Sequence, residues 1–234
     1  MNDISQALSA ATHLIVTADA NLITIVELSI QVSFAAVLIA AIIGLPTGAV
    51  LAIVRFPGRE ALVALLNALM GLPPVVMGLL IYLLLSRAGP LGQLGLLFTP
   101  SAMIIAQAVL IAPIVAALSR QVIEDAWLEY EEQLRSLGAN TFAAAVTLLW
   151  DTRFALVTVV LAGFGRAAAE VGAVMIVGGN IDGVTRVMTT AIALETSKGD
   201  LPLALGLGMV LVTIIICVNL LAQWVKLTAQ RYYG

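Results

Sequence analysis

The chain has 234 residues, of which 61% are hydrophobic and only 11% are charged, and its formal net charge is −3. An ordinary soluble domain carries about 25% charged residues, so this composition excludes a soluble globular protein. The charge balance provides none of the basic surface that nucleic-acid binding requires, and we expect no nucleic acid among the partners. The single cysteine, Cys217, lies in an apolar run, which excludes a disulfide framework and a Cys-X-X-Cys metal site.

Long aliphatic runs predict an all-α integral membrane protein. About 20 apolar helical residues cross the hydrocarbon core of a bilayer, and a helix satisfies its own backbone groups where water is absent. We predict a single transmembrane domain over residues 1–234. Its five spans are expected at about Leu22–Val54, Ala61–Leu85, Ser101–Ser119, Phe154–Val177 and Leu201–Trp224.

The distribution of lysine and arginine predicts the orientation, because cytoplasmic segments of membrane proteins carry an excess of both. An odd number of crossings places the two termini on opposite sides. With a cytoplasmic C-terminus, the basic residues inside are Arg55, Arg59, Arg120, Arg135, Arg153, Lys226 and Arg231, and those outside are Arg87, Arg186 and Lys198. We therefore predict an external N-terminus and a cytoplasmic C-terminus.

Before the first span, apolar residues recur at helical spacing. They predict a short helix within residues 1–20 that lies on the outer membrane interface. Its apolar face would consist of Ile4, Ala7, Leu8, Ala11, Leu14 and Ile15. His13 lies on the polar side, and a lone histidine without a second ligand at metal-binding spacing predicts a solvated side chain.

Two proline motifs fall within the first two spans. Pro46 lies in GLPTG, residues 44–48, where proline and small residues predict a bend and a close helix contact. Pro73 and Pro74 lie in GLPPVVMG, where each proline removes a backbone donor, so we predict a broken or strongly bent helix. A break of this kind either lines a transport pathway or is a packing kink. Pro73 and Pro74 are therefore candidate pathway residues.

After the third span, the segment at about residues 120–152 is predicted to form two amphipathic helices joined by a turn, which we call the elbow. The apolar stripe of its first helix is Trp127, Tyr130, Leu134 and Leu137. Gly138 stands where a left-handed residue would end that helix, and Asn140 or Thr141 can cap the next one. The apolar face of the second helix would be Phe142, Val146 and Leu149. The elbow is either a solvated hairpin or a segment that docks in another protein's groove.

The fourth span contains two charged residues, Arg166 and Glu170, in GFGRAAAEVG. A charge near the bilayer midplane costs about 2.5–3.5 kcal/mol on insertion scales and needs a partner. The i, i+4 spacing would place both side chains on one face of a helix, where they can meet. They either line a pathway for an oxyanion, with Arg166 attracting it and Glu170 limiting its affinity, or form a structural ion pair.

The segment 181–200 is predicted to form a short half-buried helix on the outer face. Its charged residues Arg186, Glu195 and Lys198 are candidates for contact with a soluble partner. The glycine- and proline-rich residues 87–100 are predicted to form an outer loop.

No recognised catalytic or nucleotide-binding motif occurs in the sequence. It contains neither G-X-X-X-X-G-K-[ST] nor H-E-X-X-H, and no Cys/His cluster. We predict a non-enzymatic chain that holds no metal and no cofactor of its own.

The elbow carries a family resemblance. The stretch from Glu132 to Gly138 resembles the EAA loop of ABC importer permeases, a glutamate followed by a glycine six positions later. Four further stretches resemble the tungstate branch of these permeases, close to the molybdate branch. They are NALMGLPPVVMGLLIYLLLSRAGPLG, FTPSAMIIAQ, AAAEVGAVMIVGGNI and TTAIALETSKGD.

The resemblance implies the MetI-like fold of type I ABC importer permeases in a bacterial or archaeal inner membrane. It further implies a homodimer, two ABC ATPase subunits that hold ATP and Mg²⁺, and an extracytoplasmic substrate-binding protein. The ATPase-coupling residues it indicates are Glu131, Glu132, Leu137, Gly138 and Asn140. The expected substrate is tungstate.

Several alternatives stay open at this point. The substrate could instead be molybdate or sulfate. The chain could be a secondary transporter in which Glu170 or Glu27 carries a coupling proton, although the sequence shows no inverted repeat. It could also be a membrane scaffold that recruits a partner through the elbow without transport.

Overall fold

The computed structural model describes the backbone of residues 2–233 and the side chains of residues 7–228. The α-helices are α1 (Asn2–Val16), α2 (Ala20–Ile53), α3 (Arg59–Met70), α4 (Pro74–Leu85), α5 (Pro100–Ser136), α6 (Thr141–Asp151), α7 (Arg153–Ala168), α8 (Gly172–Gly178), α9 (Met188–Lys198) and α10 (Leu201–Tyr233). A short 3₁₀ helix, Gly92–Leu94, lies in the predicted outer loop. Every regular element in the described part of the chain is a helix, which confirms the predicted all-α fold.

Three helices are long and apolar enough to cross a membrane: α2, α5 and the Leu201–Thr228 part of α10. Two further spans arise if each of the bent pairs α3 with α4 and α6 with α7 is counted as one, which gives up to five. The predicted break at the prolines is confirmed, since α3 ends at Met70 and α4 begins at Pro74.

The helix predicted over residues 154–177 is not continuous. Helix α7 ends at Ala168 and α8 begins at Gly172, so the expectation that Arg166 and Glu170 lie on one face of the same helix is wrong. The third predicted span and the first helix of the elbow are continuous in the structure. Helix α5 runs without interruption from Pro100 to Ser136 and includes both the third predicted span and the first helix of the elbow.

The chain divides into two compact units. The first is built from residues up to 36, 73–107 and 166–217, and the second from residues 37–72, 108–165 and from 218 onward. The long helices α2, α5 and α10 contribute residues to both units.

In the first unit, α1 packs through small residues. Ala7 and Ala11 are buried, and Leu14 packs against the core cluster formed by Leu22, Ile25, Met188, Ala191 and Leu207. The predicted helix is therefore present, but its apolar face is narrower than predicted, because Leu8 and Ile15 are exposed. His13 is exposed, in agreement with its predicted polar position. The side chain of Ile4 lies outside the described residues, as does that of Arg231 in α10.

In the second unit, the core lies between the end of α2, the C-terminal half of α5 and helices α6 and α7. Its buried residues are Ala49, Ala52, Ile53, Ile123, Ala126, Trp127, Ala144, Leu148 and Leu156. The predicted close contact at GLPTG is confirmed: a Cβ on Gly48 would lie 2.1 Å from Ser119 Oγ and 2.7 Å from the Ala116 carbonyl oxygen. Helix α2 continues through this motif with Pro46 inside it.

Candidate functional site

The elbow turns at Gly138. Helix α5 ends at Ser136, and Gly138 has φ +74°, a left-handed conformation that glycine adopts without steric cost. The Ala139 N–H donates to the Leu134 carbonyl at 3.0 Å, and the Gly138 N–H donates to the Arg135 carbonyl at 3.0 Å. These two bonds are the Schellman pattern, which satisfies the last free carbonyls of a helix. The predicted helix stop at Gly138 is confirmed.

Helix α6 begins immediately after this turn with Asn140 as its N-cap. The Asn140 side-chain oxygen accepts a hydrogen bond from the Ala143 N–H at 2.8 Å. Of the two caps that the sequence left open, Asn140 or Thr141, the structure selects Asn140. The turn therefore has defined geometry on both sides, with a satisfied helix end before it and a capped helix start after it.

The first helix of the elbow buries most of its predicted stripe. Trp127 is buried, and Tyr130 and Leu134 pack against the same core as partly buried residues. Leu137 differs, because it lies beyond the end of α5 and is 83% exposed. The predicted apolar stripe is therefore confirmed at Trp127, Tyr130 and Leu134 and wrong at Leu137.

The predicted apolar face of α6 is wrong. Phe142 is 78% exposed and Val146 is also exposed, whereas Ala144 and Leu148 are the buried residues of this helix. Small Ala144 allows α6 to lie close to the rest of the core, and the larger apolar residues point away from it. Of the predicted face, only Leu149 packs partly against the core. Leu137, Phe142 and Val146 are exposed apolar side chains of the elbow, and we refer to them together as the elbow surface.

The acidic residues of the elbow differ in their partners. Glu131 forms an ion pair with Arg135 at 2.6 Å, four residues further along α5. Glu132 is exposed. The elbow also contains a hollow of about 220 Å³, which is lined by Tyr130, Gln133, Leu134, Leu137, Thr147, Leu148 and Asp151. The elbow thus presents an exposed carboxylate, exposed apolar side chains and a hollow.

The structural ion pair, one of the two alternatives that the sequence left open for Arg166 and Glu170, does not form. Because α7 ends at Ala168, Glu170 lies in the break between α7 and α8 instead of one turn below Arg166. Glu170 is 7% exposed, and its Oε1 accepts from the Ala173 N–H at 3.1 Å at the start of α8. Arg166 is exposed, and no ion pair joins the two among the described residues. The Glu170 carboxylate is therefore bonded to a backbone N–H of α8 and not to the Arg166 guanidinium.

Other polar residues of the first unit hold the same break together. The Thr189 hydroxyl donates to the Glu170 carbonyl at 2.7 Å, and Gln107 Nε2 donates to the Ala167 carbonyl at 3.1 Å. Both carbonyls lie where the helix stops. The Ala167 carbonyl also accepts from the Glu170 N–H at 3.1 Å, so the bond from Gln107 adds to a local one. Gln107 Oε1 is buried and has no hydrogen-bond partner among the residues whose side chains are described. Ser29, Gln107 and Glu170 line a cavity of about 10 Å³ at this position.

Our sequence reasoning missed Gln107, Thr189 and Ser29. The Ser29 hydroxyl oxygen accepts from the Met188 N–H at 2.7 Å and so joins α2 to the start of α9. The available signal was a single amide or hydroxyl in an otherwise apolar run, such as Gln107 in SAMIIAQAVLIA. A lone polar residue in a span must find a partner inside the protein.

The short helix predicted within residues 181–200 is present as α9, and the charged residues predicted in this segment are paired. Glu195 is buried and accepts from Lys198 Nζ at 2.9 Å. Arg186 pairs with Asp182 at 2.9 Å, and the Asp182 side chain is largely exposed. These residues therefore present a mixed-charge surface in which Lys198 and Asp182 are the exposed members.

Comparison with known proteins identifies the class of protein that carries this elbow. Residues 44–227 match the family described as binding-protein-dependent transport system inner membrane component. The chain belongs to this family, the membrane-spanning permeases of ABC importers, whose members are non-catalytic subunits. The family resemblance carried by the EAA-like stretch is confirmed.

Within this family, the chain is similar to permeases for tungstate and, at lower identity, for sulfate. It is 41% identical to the tungstate uptake system permease protein TupB of Peptoclostridium acidaminophilum over 219 residues, 94% of this chain and 96% of the relative. It is 39% identical to the TupB of Campylobacter jejuni over 174 residues, 74% of this chain and 73% of the relative. The sulfate transport system permease protein CysW of Synechocystis is 30% identical over 213 residues, 88% of this chain and 77% of the relative.

Proposed function

We propose that this chain is the permease of an ATP-driven, binding-protein-dependent importer of tungstate. The observation that carries the proposal is the 41% identity to a tungstate uptake permease over almost the full length of both chains. The sulfate permease relative is 30% identical, a greater distance. Molybdate and sulfate, which share the tetrahedral dianion shape, are the alternatives that the experiment must separate.

The elbow is proposed to be the docking segment for an ABC ATPase on a separate chain. The described contacts support this role, because the Gly138 turn and the Asn140 cap fix the geometry of the segment from both sides. On the elbow surface, Leu137 and Phe142 are largely exposed, and Glu132 of α5 is exposed as well. Exposed apolar side chains beside a hollow are typical of a helix that seats in a partner's groove.

Two copies of the chain are proposed to enclose the pathway. An arginine in a membrane-spanning segment needs either water or an anionic partner, and Arg166 is exposed in the single chain with no ion pair among the described residues. It is therefore the residue we assign to the passing anion. Glu170, which caps α8, would shape the pathway by holding the break open, and Pro73 and Pro74 would do so at the other break.

The outer face is proposed to receive a substrate-binding protein at the ion pairs of Arg186, Glu195 and Lys198, where the exposed Lys198 and Asp182 would make the contact. This assignment requires the N-terminus outside and the elbow in the cytoplasm, as the lysine and arginine distribution predicts. ATP binding would then draw the two elbows of the dimer together and open the spans outward, and hydrolysis would reset them.

Reconstitution in proteoliposomes tests the proposed function. The permease would be assembled with its ATPase and binding protein, and uptake of tungstate would be measured with and without ATP inside. We expect uptake that requires both the ATPase and ATP. Excess molybdate or sulfate should compete less well than unlabelled tungstate.

Three results would contradict the proposal in different ways. If molybdate or sulfate competed better than unlabelled tungstate, the assigned substrate would change, but the chain would still be an importer permease. Uptake at full rate without the ATPase, driven by a proton gradient, would instead indicate a secondary transporter with Glu170 or Glu27 as proton carrier. If no uptake occurred under any condition, the remaining alternative would be a membrane scaffold that does not transport.

A further inference from the structure

A compact charge cluster lies in the second unit, where α2 ends and α3 begins. Arg59, the first residue of α3, is at its centre, and its side chain is only 6% exposed. Its Nε donates to the Leu51 carbonyl in α2 at 2.7 Å. Its two terminal nitrogens donate to Glu60 Oε1 and Glu124 Oε1, each at 2.6 Å. One guanidinium therefore binds three acceptors that belong to α2, α3 and α5.

Glu124 of α5 is the other centre of this cluster. Its Oε1 accepts from Arg59, and its Oε2 accepts from Arg120 one turn earlier in the same helix. Arg55 Nη1 lies 3.9 Å from Glu124 Oε1. The bond to Arg120 stays within α5, whereas the bond to Arg59 joins residues 65 positions apart. The Arg59–Glu124 pair is thus the contact that ties α5 to the start of α3.

The apolar core reinforces this tie. Ile123 and Trp127, on either side of Glu124 in α5, are buried against Ala52 and Ile53 at the end of α2. The same stretch of α5 continues to Ser136 and the elbow turn. A displacement of the elbow along α5 would therefore reach α2 through packing and α3 through the ion pair.

Arginine is suited to this position in a way that other cations are not. Its guanidinium is planar, always charged and presents donors at fixed angles, so one side chain can hold three acceptors at once. The environment is largely shielded from water, which strengthens the attraction between Arg59 and Glu124. Removing one member of a buried pair leaves the other uncompensated.

We propose that the Arg59–Glu124 ion pair is the tie through which movement of the elbow is passed from α5 to the start of α3. The proposal rests on the proposed function, since it assigns a route for motion that an ATPase produces. Both residues are positioning residues: neither lies on the elbow surface or needs to touch the transported anion. In this view, α5, the end of α2 and the start of α3 move as one body.

The test measures how many ATP molecules the reconstituted importer hydrolyses for each tungstate ion taken up. Glu124→Gln keeps the size of the side chain and removes its charge. Arg59→Gln removes the tie from the other side while leaving Glu124 paired with Arg120, so no buried charge is orphaned. Asp125→Asn is the matched control, because it makes the same charge change at the next, exposed position of α5.

We expect Glu124→Gln and Arg59→Gln each to raise the ATP hydrolysed per ion about fivefold or more, within the usual range of coupling between sites. The ATPase should continue to bind and to hydrolyse ATP. Asp125→Asn should retain the ratio of the unmodified complex. The double variant should be no worse than the worse single variant, because the two changes remove one shared interaction.

The outcomes separate this proposal from the proposed function. If either variant assembled and hydrolysed the normal number of ATP molecules per tungstate ion, the proposed tie would be overturned. Normal transport by the unmodified and Asp125→Asn complexes would still support the proposed importer. Loss of assembly in both variants would also overturn the tie, since the pair would then serve folding alone. Uptake by the unmodified permease without ATPase would overturn the proposed function instead.

Discussion

Gly138 has φ +74°, and a Cβ built on it would meet nothing within 4 Å. A side chain at this position would therefore meet no steric clash with its surroundings. Its only cost would be the left-handed backbone conformation, which is roughly 1–2 kcal/mol for an L-residue and highest for a β-branched residue. We expect Gly138→Val to uncouple ATP hydrolysis from uptake while the spans stay folded. The measurement is the ratio of hydrolysis to uptake in proteoliposomes, with helical content followed by circular dichroism.

Gly138→Asn is the matched control for this prediction. Asparagine tolerates the left-handed region, so the turn should form and coupling should be largely retained. Coupled uptake at the normal rate in Gly138→Val would show that the shape of the elbow does not matter to transport.

Arg166 allows a second prediction at the level of a single residue. If its exposed guanidinium faces the pathway, Arg166→Ala should lower dianion uptake about tenfold, which corresponds to about 1.4 kcal/mol at the barrier. Arg166→Lys keeps the positive charge and should retain most of the flux. Initial uptake rates at saturating binding protein provide the measurement. Equal rates for Arg166→Ala and the unmodified permease would give Arg166 a structural role only.

At the level of helices, the elbow was the most predictable part of the molecule. Its stop at Gly138 and its cap at Asn140 are local events, in which a residue bonds to backbone groups within a few positions. Local signals of this kind can be read from a sequence. The buried face of α6 could not be predicted in this way, because whether Ala144 or Phe142 is buried depends on how closely the neighbouring helices approach.

The break between α7 and α8, by contrast, could not be predicted from local sequence signals. The stretch RAAAEVG reads as helix, since alanine and glutamate favour helices. Bonds from distant residues accompany the end of the helix: Thr189 binds the carbonyl of Glu170 from 19 positions away, and Gln107 binds that of Ala167 from 60 positions away. A helix whose carbonyls are satisfied by other elements can end without glycine or proline.

At the level of the whole molecule, composition alone was enough to predict an all-helical membrane protein, because few folds satisfy backbone groups in lipid. The side on which each loop lies follows from a different signal, the lysine and arginine distribution. Every functional assignment of the elbow depends on it, since an ATPase can only be met in the cytoplasm. The orientation therefore needs a test that does not depend on transport.

Thiol labelling in spheroplasts provides that test. The exposed Cys217 would first be replaced by serine, and single cysteines would then be placed at Leu94 in the outer loop and at Ser136 beside the elbow turn, both exposed positions. With the N-terminus outside, a membrane-impermeant reagent should label Leu94→Cys in intact spheroplasts and Ser136→Cys only after permeabilisation. The reverse pattern would place the elbow outside the cell, where no ATPase could drive it, and neither the docking role of Gly138 nor the Arg59–Glu124 tie could then stand.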